Sequence, residues 1–157
     1  MFKTIVWATD GSDVADAAIP VLTELALEEG STILALHVDQ RFRGGRFGGG
    51  AVLADEDELI AKITEQVTDL CHAGIDATLK VEATDRHNIA ELVATYASEL
   101  DADLVVVGTY GRHAATTAVL GSVAKALLHT AQCPVLVVPI SSRKESPTRT
   151  RPQLVTS

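Results

Sequence analysis

The sequence has few of the features that mark secreted or membrane-spanning proteins. It contains only two cysteines in 157 residues, Cys71 and Cys133, and they form no CxxC motif. Both lie in apolar surroundings, which predicts two reduced, buried thiols and not a disulfide framework. No apolar run approaches the length of a membrane span, and no basic leader precedes the first apolar run. We therefore expect a cytoplasmic protein without a membrane partner.

Basic residues are also scarce over most of the chain. Residues 1–140 carry 9 basic and 20 acidic side chains, a balance of −11, whereas residues 141–157 carry four basic and one acidic, a balance of +3. Such a body repels nucleic acid and anionic membranes, so we expect no nucleic-acid partner. The hydrophobic share of 46% suits one domain over residues 1–140. The remainder predicts a flexible basic tail over 141–157.

Two familiar phosphate-binding motifs are missing, but a third glycine pattern is present. The chain has neither a Walker A Gly-Lys-[Ser/Thr] nor a G-x-G-x-x-G spacing. Instead, the apolar run 104–107 ends at Gly108, Gly111 follows, and the next regular segment begins at Gly121 and Ser122. A glycine-punctuated loop between a buried strand and a helix start is typical of phosphate sites. The alternative is that these glycines only turn the chain. Ser122 either caps the helix or contacts a phosphate oxygen.

Strand patterns alternate with helix patterns five times along the chain. Strands are predicted at 3–8, 32–38, 77–83, 104–107 and 134–138, and helices at 13–29, 55–71, 87–100 and from 122 to about 131. This order predicts an α/β fold, a doubly wound parallel sheet with helices on both faces. Pro20 is expected to bend the first helix. Cys71 and Leu100 are expected to face inward from the second and third helices.

Two loops are candidates for a ligand site. Asp10 follows the first strand at the edge where doubly wound sheets bind ligands, although it can instead cap the next helix with Ser12 or Asp13. The segment 39–54 is predicted to be a loop, and its three arginines among five glycines cannot pack a core. These arginines either cover a triphosphate or stay in solvent. They are Arg41, Arg43 and Arg46.

The glycine spacing is more specific than the glycine content. Gly108, Gly111, nine residues and then Gly121-Ser122 resemble the G-x2-G-x9-G-[S/T] pattern of the ATP-binding branch of the universal stress protein family. Thr9-Asp10-Gly11-Ser12 resembles the family's D-x-S turn, and Cys133-Pro-Val-Leu-Val-Val resembles its closing strand. The resemblance covers roughly residues 1–140. It implies five strands in the order 3-2-1-4-5.

The resemblance also implies a nucleotide site. Asp10 and the backbone of Val38 would hold the nucleoside, and Ala8 and Thr9 would line the same pocket. The residues implied around the ribose and phosphates are Val107, Gly108, Tyr110, Gly111, Arg112, Gly121, Ser122 and Val123. The expected ligand is ATP with Mg²⁺ or Mn²⁺, the metal being bound mainly through phosphate oxygens and water, as magnesium often is. No catalytic residue and no protein metal ligand are assigned.

Three activities remain open. An efficient ATPase needs a positioned base or water-orienting residue and cations around the γ-phosphate, and the loop itself offers only Arg112 and His113. We therefore favour an ATP-binding regulatory module of the stress response. The alternatives are a slow ATPase or nucleotidyl-transfer enzyme, and a dimerisation module without a ligand.

The implied strand order places the last strand at an edge of the sheet. Its four apolar residues, Val135, Leu136, Val137 and Val138, would leave backbone groups unpaired on one side. Pairing with its own copy would give a closed homodimer, as in many members of the family. The alternative is that the tail or a loop covers this edge within one chain.

Overall fold

The five predicted strand segments of the sequence form one parallel sheet. The structure is a computed structural model that describes residues 1–39, 49–84, 88–110 and 120–140, with side chains from residue 56 onward in the second of these ranges. The elements are β1 (Thr4–Ala8), α1 (Asp13–Asp16), α2 (Ile19–Glu29), β2 (Thr32–Asp39), α3 (Gly49–His72), β3 (Asp76–Ala83), α4 (Ile89–Glu99), β4 (Leu104–Gly108), α5 (Ser122–Thr130) and β5 (Val135–Val138).

The sheet confirms the predicted class and strand order. All four pairings are parallel, in the order β3-β2-β1-β4-β5. In the centre, Ala8 lies opposite Leu36 of β2 and opposite Val107 of β4. Residues 5–8 of β1 are all buried. A continuous buried run is what a parallel strand needs, because helices cover both of its faces.

Alternating residues of the strands contribute to two separate cores. Because successive side chains of a strand point to opposite faces, one sequence run supplies both layers. The layer that contains α2 and α3 buries Ile5, Trp7, Ile33, Ala35, Leu104 and Val106 from the strands. The layer that contains α4 and α5 buries Val6, Ala8, Leu36, Val38, Val105 and Val107.

The first predicted helix is two helices, and Pro20 does not bend either of them. The chain leaves α1 at Asp16 and starts α2 at Ile19, so Pro20 lies in the first turn of α2. Proline is tolerated there because the first backbone N–H groups of a helix have no intrahelical acceptor. The predicted inward residues Ala18 and Leu22 are buried, and Gly30 ends α2 with a left-handed φ of 65°.

The second predicted helix starts earlier than its sequence pattern indicates. α3 begins at Gly49 instead of Asp55, so the predicted loop 39–54 is too long at both ends, because Asp39 belongs to β2. Residues 51–54 are Ala-Val-Leu-Ala. Once a helix is nucleated, extending it costs little. The turns that follow therefore offset the low helix propensity of the glycines at its start.

Two residues predicted to face inward are exposed. Cys71 is exposed and its thiol donates to the carbonyl of Ala77 at 3.2 Å, because it lies one position beyond the buried Leu70 and is turned away from the sheet. Leu100 is 43% exposed, since it lies just beyond the end of α4. Cys133 is half-buried, and burial raises the pKa of its thiol. Both thiols are free, as predicted.

None of the helices in the described ranges is long and apolar enough to cross a membrane.

Asp103, the residue immediately before β4, is hydrogen-bonded to the start of β1. Its Oδ2 accepts hydrogen bonds from the backbone N–H of Lys3 at 2.8 Å and of Thr4 at 2.9 Å, and its own N–H donates to the carbonyl of Thr4 at 2.8 Å. The bonds from Thr4 and then from Lys3 favour the ionised carboxylate and lower the pKa of Asp103. Ionised Asp103 therefore helps to set the alignment of β1 with β4.

Asp103→Asn should lower the melting temperature at neutral pH and remove one source of acid sensitivity. A carboxyl whose pKa is lowered on folding stabilises the fold above its ordinary pKa, near 4, and this contribution is lost as the pH falls through the lower folded value. The difference in melting temperature between wild type and variant should thus be constant near pH 7 and shrink below about pH 4. Thermal unfolding followed by circular dichroism across this range tests it. A difference that does not change with pH would contradict the role of the charge.

Candidate functional site

The residue that follows β1 is held by three hydrogen bonds. The Thr9 N–H donates to the carbonyl of Leu36 at 3.0 Å, its Oγ1 accepts from the Gly11 N–H at 3.1 Å, and its carbonyl accepts from Nδ1 of His37 at 2.9 Å. Thr9 is buried and Asp10 is half-buried. Residues 9–12, called here the β1 turn, therefore leave the sheet in a defined direction.

The β1 turn also starts α1. Oδ1 of Asp10 accepts from the Ser12 N–H at 3.0 Å, and Oγ of Ser12 accepts from the Ala15 N–H at 3.2 Å. Ser12 is thus the N-cap, and Asp10 makes the turn that delivers it. Gly11 has a φ of +73°, and a Cβ there would lie 2.7 Å from Cδ2 of Leu59. Both backbone conformation and space require glycine at this position.

Gly108, at the end of β4, allows α1 to approach the sheet closely. A Cβ on Gly108 would lie 3.0 Å from the carbonyl oxygen and 3.1 Å from Cγ1 of Val14. The backbone of Gly108 is not left-handed. The absence of a side chain therefore brings the end of β4 against the helix that follows the β1 turn.

Gly121 closes the base of the segment between β4 and α5, residues 109–121, which is called here the glycine loop. Its N–H donates to the carbonyl of Thr109 at 2.6 Å, and a Cβ on Gly121 would lie 2.7 Å from Cα of Tyr110. Its φ of −62° and ψ of 158° are extended, so Gly121 does not need the left-handed backbone that favours glycine elsewhere. Glycine is required because the two arms of the loop touch.

Gly121, and not Ser122, is the N-cap of α5. Ser122 is the first helical residue and is exposed, whereas Val123 is half-buried against the core beneath α4 and α5. The first backbone N–H groups of α5 have no acceptor within the helix. The start of α5 is therefore a place where backbone donors and the positive end of the helix dipole coincide.

The structure gathers the described site residues at one edge of the sheet, because the carboxyl ends of parallel strands lie together. Ala8, Thr9, Asp10 and Val38 follow or end β1 and β2; Val107, Gly108 and Tyr110 end or follow β4; Gly121, Ser122 and Val123 begin α5. Five other predicted residues lie outside the described residues. They are Gly111 and Arg112 in the glycine loop, and Arg41, Arg43 and Arg46 after β2.

Two residues next to the β1 turn escaped the sequence analysis. His37 is wholly buried, with Nδ1 on the Thr9 carbonyl and Nε2 on Oε1 of Glu56 in α3. Nζ of Lys62, also in α3, donates to the carbonyl of Gly11 at 2.9 Å and lies 2.6 Å from Oδ2 of Asp16. A histidine inside the buried run Leu-Ala-Leu-His-Val was the signal available for the first. Nothing in the sequence pairs Lys62 with a turn 51 residues away.

Lys62 is held in its charged form. Partial burial acts to lower the pKa of Lys62, but the hydrogen bond to Asp16 and the charges of Asp16 and Asp13 outweigh it, so the pKa is raised. No group of three or more His, Cys, Asp and Glu side chains that could hold a metal ion occurs among the residues the structure describes. The described protein groups therefore form no metal cage of their own.

Comparisons with known proteins agree with the fold. The sequence profile of the universal stress protein family matches residues 1–139. Universal stress protein A homolog 1 of Coxiella burnetii is 32% identical over 144 residues, which cover 87% of this chain and 96% of that protein.

Solved structures show the same architecture. A universal stress protein family member from Burkholderia pseudomallei superposes with a TM-score of 0.70 at 24% identity, over 88% of this chain and 96% of that one. A universal stress protein in complex with cAMP gives 0.64 at 22% identity, over 88% and 97%. The protein from Archaeoglobus fulgidus in complex with dAMP gives 0.59 at 21% identity, over 88% and 98%. With its profile match spanning nearly all of the described residues, this chain belongs to the universal stress protein family.

Proposed function

We propose that the chain is an ATP-binding regulatory module of the stress response, with one domain over residues 1–140 and a basic tail over 141–157. The observation that supports this function is the closed base of the glycine loop, formed by Gly121 and Thr109 at 2.6 Å beside the start of α5. Contact between Gly108 and Val14 brings the start of that loop against α1, the helix that follows the β1 turn. Related proteins of the same fold were solved with cAMP and with dAMP, which have an adenine nucleoside and phosphate in common with ATP.

Each part of the site has a role in this proposal. Asp10 and the backbone of Val38 hold the nucleoside, while Ala8 and Thr9 line its pocket. The glycine loop and the first N–H groups of α5 surround the phosphates, because backbone donors at a helix N-terminus favour anions. Mg²⁺ or Mn²⁺ is bound mainly through phosphate oxygens and water, in keeping with the absence of a metal cage among the described side chains.

We favour regulation over catalysis, and we place the protein in the cytoplasm. The described side chains around the proposed phosphates, Tyr110 and Ser122, supply hydroxyl groups but no base or cation. Rapid phosphoryl transfer needs both an oriented nucleophile and charge stabilisation. A slow ATPase or nucleotidyl-transfer enzyme is the second candidate, and a dimerisation module without a ligand is the third.

Purified protein should retain nucleotide. We expect acid extraction of the native protein to release ATP, and we expect added ATP to be hydrolysed far more slowly than the 1–100 s⁻¹ that is usual for kinases. Chromatography of the extract and a phosphate-release assay measure the two quantities. Turnover in the range of dedicated enzymes would favour the second candidate. An empty extract, together with no binding of added ATP by calorimetry, would favour the third.

Gly121→Ala should weaken ATP binding more than it weakens the fold. The new Cβ would press on the backbone of Tyr110, and a shift that costs 1.4 kcal/mol of binding energy lowers affinity about tenfold. Gly30→Ala is the matched control, because its Cβ meets nothing within 4 Å. It should cost about 1–2 kcal/mol of stability through its left-handed backbone and leave ATP affinity unchanged. Equal ATP affinities of the two variants, measured by calorimetry, would contradict the proposal that the glycine loop binds the phosphates.

The arginines after β2 provide a test of the phosphate side. If Arg41, Arg43 and Arg46 cover the triphosphate, replacing all three by serine should weaken ATP by at least tenfold and adenosine by less than twofold, because only phosphates pair with guanidinium groups. Titration of the two ligands into wild type and variant measures this difference. Equal losses for both ligands, or no loss, would contradict phosphate contacts and favour the alternative that these arginines stay in solvent.

We further propose a homodimer through β5. This strand is the last one beside β4, and its first three residues are half-buried. On the opposite edge strand, β3, Nζ of Lys80 lies 3.6 Å from Oε2 of Glu82, to which the hydroxyl of Tyr96 donates at 2.6 Å. Charged residues discourage strand pairing, so β5 is the edge better suited to a second copy.

Val137→Lys should convert the dimer to a monomer. Lysine on an edge strand opposes pairing, and Val137 is only partly buried within its own chain. Light scattering at micromolar concentration gives the mass, and circular dichroism checks that the sheet remains folded. If the wild type is a monomer, with or without ATP, the proposed interface through β5 is ruled out.

A further inference from the structure

One face of α3 runs along the β1 turn and the start of α1. We call Glu56, Leu59, Lys62 and Gln66 the clamp face, because residues three or four apart lie on the same side of a helix. Leu59 occupies the space that a side chain on Gly11 would need. Lys62 donates to the Gly11 carbonyl, and Nε2 of Gln66 donates to Oδ1 of Asp16 at 2.9 Å. The turn is therefore held from the helix as well as from the sheet.

Glu56 reaches the turn through His37. The His37 ring is wholly buried and the Glu56 side chain is only 13% exposed, so neither end of their contact is shared freely with water. Nδ1 of His37 lies 2.9 Å from the Thr9 carbonyl, which can only accept. The proton on this side of the ring must therefore be on Nδ1. A hydrogen bond between Nε2 and Oε1 of Glu56 then requires one further proton, carried by either of these two atoms.

The two bonds make the ring a rigid link between helix and turn. If no proton lay between Nε2 and the carboxylate, two buried lone pairs would face each other, and the contact would repel instead of attract. With it, any displacement of Glu56 is passed to the Thr9 carbonyl. Asp10 is the next residue along the chain, and its carboxylate makes the turn that leads to α1.

We propose that His37 is a positioning residue of the nucleotide site, and that its bond to Glu56 makes nucleotide affinity depend on the position of α3. This inference rests on the proposed function, since it assigns regulation to the same site. His37 does not touch the ligand: it sets the direction of the Thr9 carbonyl and hence of Asp10. Because coupling between two sites is reciprocal, nucleotide binding at the turn also favours one position of α3.

The first test needs no nucleotide. Nitrogen-15 spectra of the imidazole rings distinguish a protonated Nδ1 from a protonated Nε2, and His37→Asn identifies the His37 signal among the five histidines. We expect Nδ1 of His37 to be protonated in the free protein. In Glu56→Ala, we expect the backbone amide signals of Thr9, Asp10 and Gly11 to shift. A neutral ring protonated on Nε2 alone, or unmoved amide signals, would overturn the link.

The second test measures affinity. Glu56→Ala should weaken ATP binding by about tenfold, within the usual range of coupling between sites, through the loss of its bond to His37. Glu56→Gln, which can still bond to Nε2, should restore most of the affinity. In a His37→Asn background, the further change Glu56→Ala should alter affinity by less than twofold, because the link is already broken. Asp57→Ala, on the exposed side of the same helix, is the matched control.

The outcomes separate the inference from the proposed function. If wild type binds no nucleotide, the proposed function fails, and the ring protonation and amide shifts still decide whether His37 links α3 to the turn. If wild type binds ATP and Glu56→Ala binds it equally well, the inference fails while the function stands. Additive losses from His37→Asn and Glu56→Ala would also contradict it, since two independent structural defects add. Trp7, the single tryptophan, is buried in β1 and reports by its fluorescence that each variant is folded.

Discussion

The central strand β1 shares both of its backbone edges, and the rest of the structure depends on this. It pairs with β2 on one side and with β4 on the other, in registers that place Ala8 opposite both Leu36 and Val107. At this edge β1 ends at Ala8 and β4 one residue beyond Val107, whereas β2 continues three residues beyond Leu36, so each loop that leaves the three strands starts from a fixed point. Buried strands cannot leave their backbone groups unpaired, so the pairing is obligatory and the gathering of the loops follows from it.

Close contact between chain segments explains the glycines better than backbone conformation does. Among Gly11, Gly108 and Gly121, only Gly11 has a positive φ. The other two are needed because a Cβ would meet the backbone of Val14 or of Tyr110. Glycines also let a backbone approach an anion closely, which is why they are common at phosphate sites. Packing and phosphate binding would place the same demand on these positions, and this is why a glycine pattern alone cannot separate them.

The sequence predicts the layers of this fold well and its contacts poorly. Apolar runs locate β1, β2, β4 and β5, and alternation of apolar with polar residues locates the edge strand β3, but the strand order comes from the resemblance to a family and not from periodicity. Pro20 is misjudged because proline inside an apolar helical pattern can equally begin a second helix, a choice that depends on how α2 packs. His37 is missed because its two partners, Thr9 and Glu56, lie 28 and 19 residues away. Such pairings are decided by the crossing of β2 and α3, which no local pattern records.

The charge of the chain bears on why such contacts matter for a nucleotide. Residues 1–140 carry a balance of −11, so the field of the whole body opposes a polyphosphate instead of attracting it. In the proposed function, affinity must then come from short-range groups, chiefly backbone donors and the start of α5, whose contribution falls away within a helical turn. Binding that depends on short-range geometry changes steeply when that geometry moves. A helix that holds the β1 turn through Glu56, Leu59 and Lys62 is therefore in a position to adjust affinity by small displacements. This arrangement suits the proposed regulatory function better than the alternative of a slow enzyme.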